Sequence, residues 1–346
     1  MRKYNVGIIG YGWASGAHIA AINGSSFAQV TAVYSSRSLN SAELSQKHGS
    51  SITCFQDLDA MLRRDDIDVV SICSYPHQHA EQLIAAVKAG KHFIIEKPIT
   101  LNLEDARAVA KAVRAAGVKG CVCFEGRFSG LFLAAKSLID QGFLGTIHYA
   151  ELDYYHGIGP MYNQYRWNTR KASGGSSLLS AGCHAMSSLL LCMGNDVEKV
   201  TSYTTRSQAD VFNPYEYPTT SVSIIHFSGG RLGKVASVID CLQPYYRHVH
   251  LMGSEGSLLD NKFYSRRIPG LDPGRWTDLG VTLLDSGNVH HHPYRVQFDA
   301  FFTALSRGED MPLTNFEEGM LTHRLALAAD LSAELKRPVT PSEVTV

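Results

Sequence analysis

A chain of 346 residues is longer than one hydrophobic core usually supports, so two domains are the starting expectation. With 45% hydrophobic and 18% charged residues, and Lys+Arg and Asp+Glu both at 32, the composition is that of a globular protein and gives no electrostatic basis for a nucleic-acid partner. No apolar stretch reads as the roughly 20 residues of a membrane span, and Met1-Arg2-Lys3-Tyr4 runs straight into Val6–Ile9 without a signal-peptide core, so a cytoplasmic protein is expected.

From Tyr4 to about Gly126 short apolar runs alternate with helical patterns. Val6–Ile9 reads as a strand, Gly16–Ile22 as a helix and Val30–Tyr34 as a strand. Helices follow at Ser41–Lys47 and Phe55–Arg64, then a strand at Val69–Cys73. Helix His79–Ala89 stops at Gly90, strand Phe93–Ile95 follows, then helix Leu103–Ala116 and strand Gly120–Phe124. Apolar strands separated by amphipathic helices predict an α/β fold, a doubly wound parallel sheet of Rossmann type over residues 1–125.

Beyond residue 126 the texture changes. After a helix at Leu131–Gln141, strand patterns occur at Thr146–Tyr155, Val200–Arg206, Thr219–Phe227, Arg231–Asp240, His248–Met252 and Gly256–Asp260. Helices are expected at Ser180–Met193, Tyr294–Arg307 and Glu317–Lys336, covering one face of the sheet or returning to the first domain. Residues 126–346 therefore read as an α+β domain with a large, mostly antiparallel open sheet. The seven cysteines are scattered without a CxxC pair and read as buried thiols, with no disulfide and no metal site. The His290-His291-His292 run reads as a solvated loop.

Gly10-Tyr11-Gly12-Trp13-Ala14-Ser15-Gly16 sits where the first strand gives way to the first helix. Gly10 permits a tight turn, Gly12 lets backbone approach a pyrophosphate, and the helix N-terminus supplies N–H donors. The spacing is GxGxxxG, one residue longer than the commoner form. NAD sites usually place a carboxylate at the end of the second strand to hold the ribose hydroxyls. Here Tyr34-Ser35-Ser36-Arg37 follows, and no carboxylate occurs before Glu43. Small hydroxyls and a guanidinium suit a 2′-phosphate, so NADP is the preferred cofactor and NAD the alternative.

Strand Phe93–Ile95 ends in Glu96-Lys97-Pro98. Ligands of a doubly wound sheet bind beyond the carboxyl ends of its strands, which directs attention to Lys97 as a donor to a substrate oxygen. Together with Ser74-Tyr75-Pro76-His77-Gln78-His79, Ala89-Gly90-Lys91-His92, His18 after the glycine turn, Gly174-Gly175 before the helix of His184, and Gly253-Ser254-Glu255-Gly256-Ser257, the chain resembles the glucose–fructose oxidoreductase / inositol dehydrogenase / rhizopine-catabolism (Gfo/Idh/MocA) family over nearly its whole length. The resemblance implies oxidation or reduction of sugars, inositols and their derivatives, with homo-oligomers (dimers or tetramers) formed through the open sheet. Lys97 and His184 match the family's active-site lysine and histidine. The resemblance also implies cofactor contacts from Gly10, Tyr11, Gly12, Trp13, Ala14, Ser35, Ser36, Arg37, Ser74, Tyr75, Pro76, His79, Glu96 and Lys97.

Family members usually carry Asp four residues before that histidine and often Asp three after it. This chain has Ser180 and Ser187 there. On a regular helix positions 180, 184 and 187 share a face, where Ser180 can hold a hydroxyl and His184 can accept its proton near neutral pH. Glu125 and Arg127 occupy the place of the family's Asn-x-Arg and read as substrate contacts or a domain-linking ion pair. Tyr154-Tyr155-His156 and Tyr165-Arg166-Trp167 suit stacking on a sugar ring, with Tyr155, His156, Arg166 and Trp167 as candidate contacts. The leading expectation is thus an NAD(P)-dependent dehydrogenase or reductase of a sugar, anhydrosugar or cyclic polyol. Two alternatives are a non-catalytic NAD(P)-binding regulator, suggested by the missing aspartate, and glycoside cleavage through transient oxidation.

Overall fold

A computed structural model describes residues 3–346. The chain falls into two compact units. One comprises the residues up to Glu125, together with Pro293–Met320 and Val346; the other comprises Gly126–His292 and Leu321–Thr345. The expected division placed 126–346 in the second domain, with its closing helices covering the sheet or returning to the first domain; the stretch 293–320 groups with the first unit.

The first unit is built on β1 (Tyr4–Ile9), α1 (Trp13–Gly24), β2 (Ala28–Tyr34), α2 (Ser41–His48), β3 (Thr53–Phe55), α3 (Leu58–Leu62), β4 (Val69–Ile72), α4 (His79–Lys88), β5 (His92–Ile95), α5 (Leu103–Ala116) and β6 (Gly120–Val122). The six strands are all parallel in the order β3-β2-β1-β4-β5-β6, the doubly wound arrangement expected. Its central strands are buried along their length, as in β4 and most of β5, because helices cover both faces. Local chemistry sets the helix ends. Asn40 caps α2 through Ala42 N–H and Glu43 N–H, and Gly49 closes it at φ 65°. Asn102 caps α5 through Asp105 N–H. The helix expected over Phe55–Arg64 is corrected: Phe55 pairs with Tyr34 as β3, and Asp57 caps a helix that starts only at Leu58.

The second unit contains α6 (Gly130–Asp140), β7 (Ile147–Tyr155), α7 (Tyr165–Asn168), α8 (Lys171–Gly174), α9 (Cys183–Met193), β8 (Val197–Thr205), β9 (Thr220–Phe227), β10 (Leu232–Val238), β11 (Tyr246–Gly253), β12 (Gly256–Leu259), β13 (Lys262–Ser265) and β14 (Thr277–Asp278). The eight strands run in the order β14-β13-β12-β11-β7-β10-β9-β8, antiparallel except for the central β7–β10 pair. Strands such as β9 alternate buried and outward residues, the pattern of a sheet with one covered face. Two helices follow, α10 (Tyr294–Ser306), which belongs to the first unit, and α11 (Phe316–Leu335), which starts in the first and ends in the second.

The helix expected over Ser180–Met193 is also corrected. Leu178–Gly182 forms a π-helical turn, and α-helix begins at Cys183. A physical reason is on the neighbouring strand: Ser237 Oγ donates to the Ser177 carbonyl at 2.8 Å, where an α-turn would receive the Ala181 N–H. The segment Lys171–Met193 is, against expectation, long and apolar enough to pass for a membrane span. In the fold 89% of its most apolar window is buried inside the protein.

Candidate active site

In the first unit the glycine turn is shaped by close approach. Gly10 has φ 90°, and a Cβ there would stand 2.8 Å from the Ser74 backbone, so only glycine lets the β1 and β4 ends meet. Above Gly12 there is open space, with nothing within 4 Å of an added Cβ. Gly12 is the N-cap of α1, no side chain among the described residues caps it, and the first turn of α1 holds no acidic residue. A helix N-terminus left open in this way fits a pyrophosphate. The Gly10 N–H is bonded to the Tyr34 carbonyl at 3.0 Å, which ties the turn to the end of β2.

Beyond that strand end Ser35 is buried and receives the Arg37 N–H on its Oγ at 3.2 Å, whereas Ser36 and Arg37 are exposed. Arg37 Nη2 donates to the Tyr11 carbonyl at 2.5 Å, so the structure brings these two predicted residues together. Trp13 is partly exposed at the start of α1, and Ala14 follows it. After β4, Tyr75 is half exposed and its ring stacks on His77 at 5.9 Å, while Pro76 is buried. Ser74 Oγ donates to Gln82 at 2.5 Å. His79 is a buried bridge: Nδ1 donates to the Pro98 carbonyl at 2.7 Å, and Nε2 lies 3.2 Å from the Ser74 carbonyl. Burial, the largest influence, keeps its imidazole below the ordinary histidine value, against the two carbonyls, which raise it.

Glu96 and Lys97 part company at the end of β5. The Glu96 side chain turns inward, where Oε1 meets His18 Nε2 at 2.9 Å and the Tyr294 hydroxyl at 2.7 Å. Its Oε2 receives the Lys97 N–H at 3.2 Å, and Lys97 itself is half-buried. His18 Nδ1 also meets Ser71 Oγ at 2.8 Å. Burial works against a charged His18 ring, but the Cys73 sulfur and Glu96 outweigh it and raise the ring from 6.5 to about 10. Burial likewise pushes Glu96 up, yet the hydrogen bond and charge of His18 leave it below the ordinary carboxylate value. The two form a buried ion pair, and its carboxylate partner Glu96 directly precedes Lys97 in sequence.

In the second unit His184 opens α9 and is buried, with its ring stacked on Tyr154 at 5.7 Å and an interplanar angle of 14°. Alternation along β7 decides which neighbours it has. Tyr154 lies on the side of His184, and the His156 ring just past the strand meets Tyr154, Tyr162 and Tyr245 at 6.0, 4.6 and 5.0 Å. Tyr155 points to the other side, onto Tyr246 at 6.0 Å and Asp153 at 3.3 Å, so of the two tyrosines it is Tyr154 that accompanies His184. Arg247 lies over the Tyr154 ring at 5.3 Å and donates from Nε to the Tyr245 hydroxyl at 2.6 Å. Tyr154, Tyr162, Tyr245, Arg247 and His292, whose ring lies 6.4 Å from that of Tyr245, form an aromatic and cationic wall beside His156, of which sequence reasoning missed Tyr162, Tyr245 and Arg247.

The three helix positions meet different partners. Ser180 is buried, and Ser187 receives Arg127 Nε on its Oγ at 2.7 Å and Nη2 on its carbonyl at 2.7 Å. Arg127 thus meets a serine where the family often has a carboxylate. Glu125 is buried at the end of the first unit, Arg166 is exposed on α7, and Trp167 is half-buried with its carbonyl taken by Ser173. His290 and His291 are exposed. Glu151, Asp153 and His248 could gather around a cation, but Lys234 Nζ already stands 2.7 Å from Asp153 and 3.4 Å from Glu151.

Comparison with known proteins agrees with this arrangement. A family model described as an oxidoreductase family with an NAD-binding Rossmann fold matches residues 4–124, and one for the GFO/IDH/MocA C-terminal domain matches residues 132–259. The chain is 25% identical to a myo-inositol 2-dehydrogenase of Thermotoga maritima over 340 residues, 98% of this chain and 99% of that one. It is 27% identical to a scyllo-inositol 2-dehydrogenase (NAD(+)) of Bacillus subtilis over 288 residues, 82% and 80% of the two chains. Its fold superposes on a levoglucosan dehydrogenase solved in complex with NADH at a TM-score of 0.84, with 22% identity and coverage of 98% and 99%. An open dinucleotide turn facing a strand end with Lys97, a second domain with a buried histidine on an open sheet, and matches across both domains make this chain a member of the Gfo/Idh/MocA oxidoreductase family.

Proposed function

We propose that the protein interconverts a secondary hydroxyl and the matching ketone on a sugar, anhydrosugar or cyclic polyol, with NADP as its preferred cofactor. The observation that carries this reading is the pairing, on one parallel sheet, of an uncapped α1 N-terminus after β1 with Lys97 after β5. That is the sheet end where a dinucleotide and its substrate bind. The cofactor reading adds Ser36 and Arg37, exposed at the end of β2, where no carboxylate stands to meet a ribose diol.

A bound nicotinamide supplies the hydride acceptor in oxidation and the donor in reduction. In oxidation His184 takes the hydroxyl proton on its imidazole while the carbon loses hydride. Lys97 donates a hydrogen bond to the oxygen as it becomes a carbonyl, and both roles reverse in reduction. Tyr154, His156 and Tyr245 offer flat faces and polar edges that suit a ring bearing several hydroxyls. With serines at 180 and 187 of this chain, the Tyr154 ring stacked on His184 helps to hold its orientation.

The test is absorbance of reduced nicotinamide with NADP and NAD across pyranoses, anhydrosugars and inositols. His184→Ala is expected to lower kcat by about 10²–10⁴-fold, the range for loss of an acid–base group, and Lys97→Ala to lower it comparably. Tight dinucleotide binding with no turnover of any substrate would overturn the enzymatic reading. Release of free sugar from a glycoside without net change in reduced cofactor would replace it with bond cleavage.

A further inference from the structure

We propose that Lys47, held in place by Tyr11, is a second specificity-determining cation that reads the 2′-phosphate of the adenosine ribose together with Arg37. The inference rests on the NADP reading above and concerns a residue that the nucleotide-binding motif does not contain.

Tyr11 is the middle residue of the Gly10-Tyr11-Gly12 turn, and two cations are attached to its two ends. Arg37 Nη2 donates to its backbone carbonyl at 2.5 Å, and Lys47 Nζ donates to its phenol oxygen at 3.0 Å. The ammonium also stands 5.5 Å from the ring centroid, within the range of a cation–π contact. The phenol further meets His48 Nε2 at 3.0 Å, with the two rings edge to face at 5.9 Å.

This arrangement is anchored. Asn23 on α1 donates to the His48 carbonyl and to Ser50 Oγ, both at 2.9 Å, and accepts the Val30 N–H at 2.8 Å. The end of α2 that carries Lys47 is therefore fixed to α1 and β2, the elements that flank the turn.

Among the described residues neither Arg37 nor Lys47 forms an ion pair with a carboxylate, unlike Arg63, Arg64 and Arg114 of the same unit. Two like charges attached to the backbone and side-chain ends of one residue without a counter-charge repel, and an anion that both can reach removes the repulsion. Burial first, and the Lys47 charge second, keep His48 below its ordinary value, so the ring beside the phenol does not add a third cation. A phosphomonoester dianion offers three acceptor oxygens, enough for the planar fork of Arg37 and the point charge of Lys47 together. A ribose diol offers no charge to either. Tyr11 acts through Lys47 and is a positioning residue.

The experiment is calorimetric binding of 2′,5′-ADP and of 5′-ADP to the full chain, so that the ratio of the two dissociation constants isolates the 2′-phosphate. Wild type is expected to prefer 2′,5′-ADP. Lys47→Met should weaken 2′,5′-ADP roughly tenfold, the scale of one charge-assisted contact, and leave 5′-ADP nearly unchanged. Lys47→Arg should keep most of the preference, and Tyr11→Phe should lose about threefold of it by freeing the lysine. A preference that persists in Lys47→Met but vanishes in Arg37→Met overturns this proposal and leaves the NADP reading standing. A shift of both ligands together would assign Lys47 a structural role and also overturn it. No preference in wild type removes the NADP reading, and this proposal with it.

Discussion

His18 carries a charge in a place where water cannot reach it, and that has a thermodynamic signature. Its ring rises from 6.5 to about 10 on folding, with burial opposing the rise and Cys73 and Glu96 driving it. Between those values the folded chain holds a proton that the unfolded chain has released, so stability falls as pH rises through that interval. The contribution is complete below pH 6.5 and gone above about 10. His18→Gln should flatten this slope: its melting temperature at pH 7 is expected to drop by several degrees, and the gap to wild type to narrow by pH 10. A parallel pair of melting curves across that range would assign the ion pair no role in stability. His18 was legible as part of the opening motif, but its partners were not. Glu96 is far away in sequence, and Tyr294 lies in a helix that follows the second domain's sheet.

At the scale of single elements, β7 shows how a period of two sorts function. Tyr154 and Tyr155 are adjacent and chemically alike, yet one stacks on His184 and the other on Tyr246 across the sheet. Tyr154→Ala should raise KM for the sugar or polyol roughly tenfold, the scale of a lost stacking contact, whereas Tyr155→Ala should change KM less than twofold. Equal effects in steady-state assays would refute the assignment of the two faces. The elements themselves were largely legible, because apolar runs, alternation and glycine punctuation are local signals. What escaped was set by neighbours. The turn before His184 is π rather than α because Ser237 from β10 competes for a carbonyl. The wall residues Tyr245 and Arg247 escaped because β11 begins with polar and aromatic residues, where an apolar pattern marks its start only at His248. Phe55 was drawn into a helix by its neighbours' periodicity, although pairing with β2 decides its state.

For the molecule as a whole, the family was readable from the spacing of motifs, whereas the path of the chain was not. The first unit is not one continuous stretch: α10 and the start of α11 complete it after the whole second-domain sheet has been passed. What they bring is core material. Phe298 packs on His18 at 5.0 Å, Phe302 on Tyr4 at 6.0 Å, and Phe316 on Phe93 at 5.8 Å, while Gln297 donates to the Val122 carbonyl at 2.9 Å. A fragment of residues 1–125 should therefore melt without cooperativity, and a peptide of residues 293–320 added in trans should restore a sharp transition in calorimetry. A cooperative melt of the fragment alone would refute this. The same threading has a consequence in the cell. On the ribosome, the segment with the nucleotide-binding fold emerges well before its aromatic clasp, which is incomplete until residue 320 has been made. Nascent chains must then wait through residues 126–292 with an unfinished nucleotide fold, so a pause or a truncation before residue 320 damages a domain whose sheet was synthesised long before.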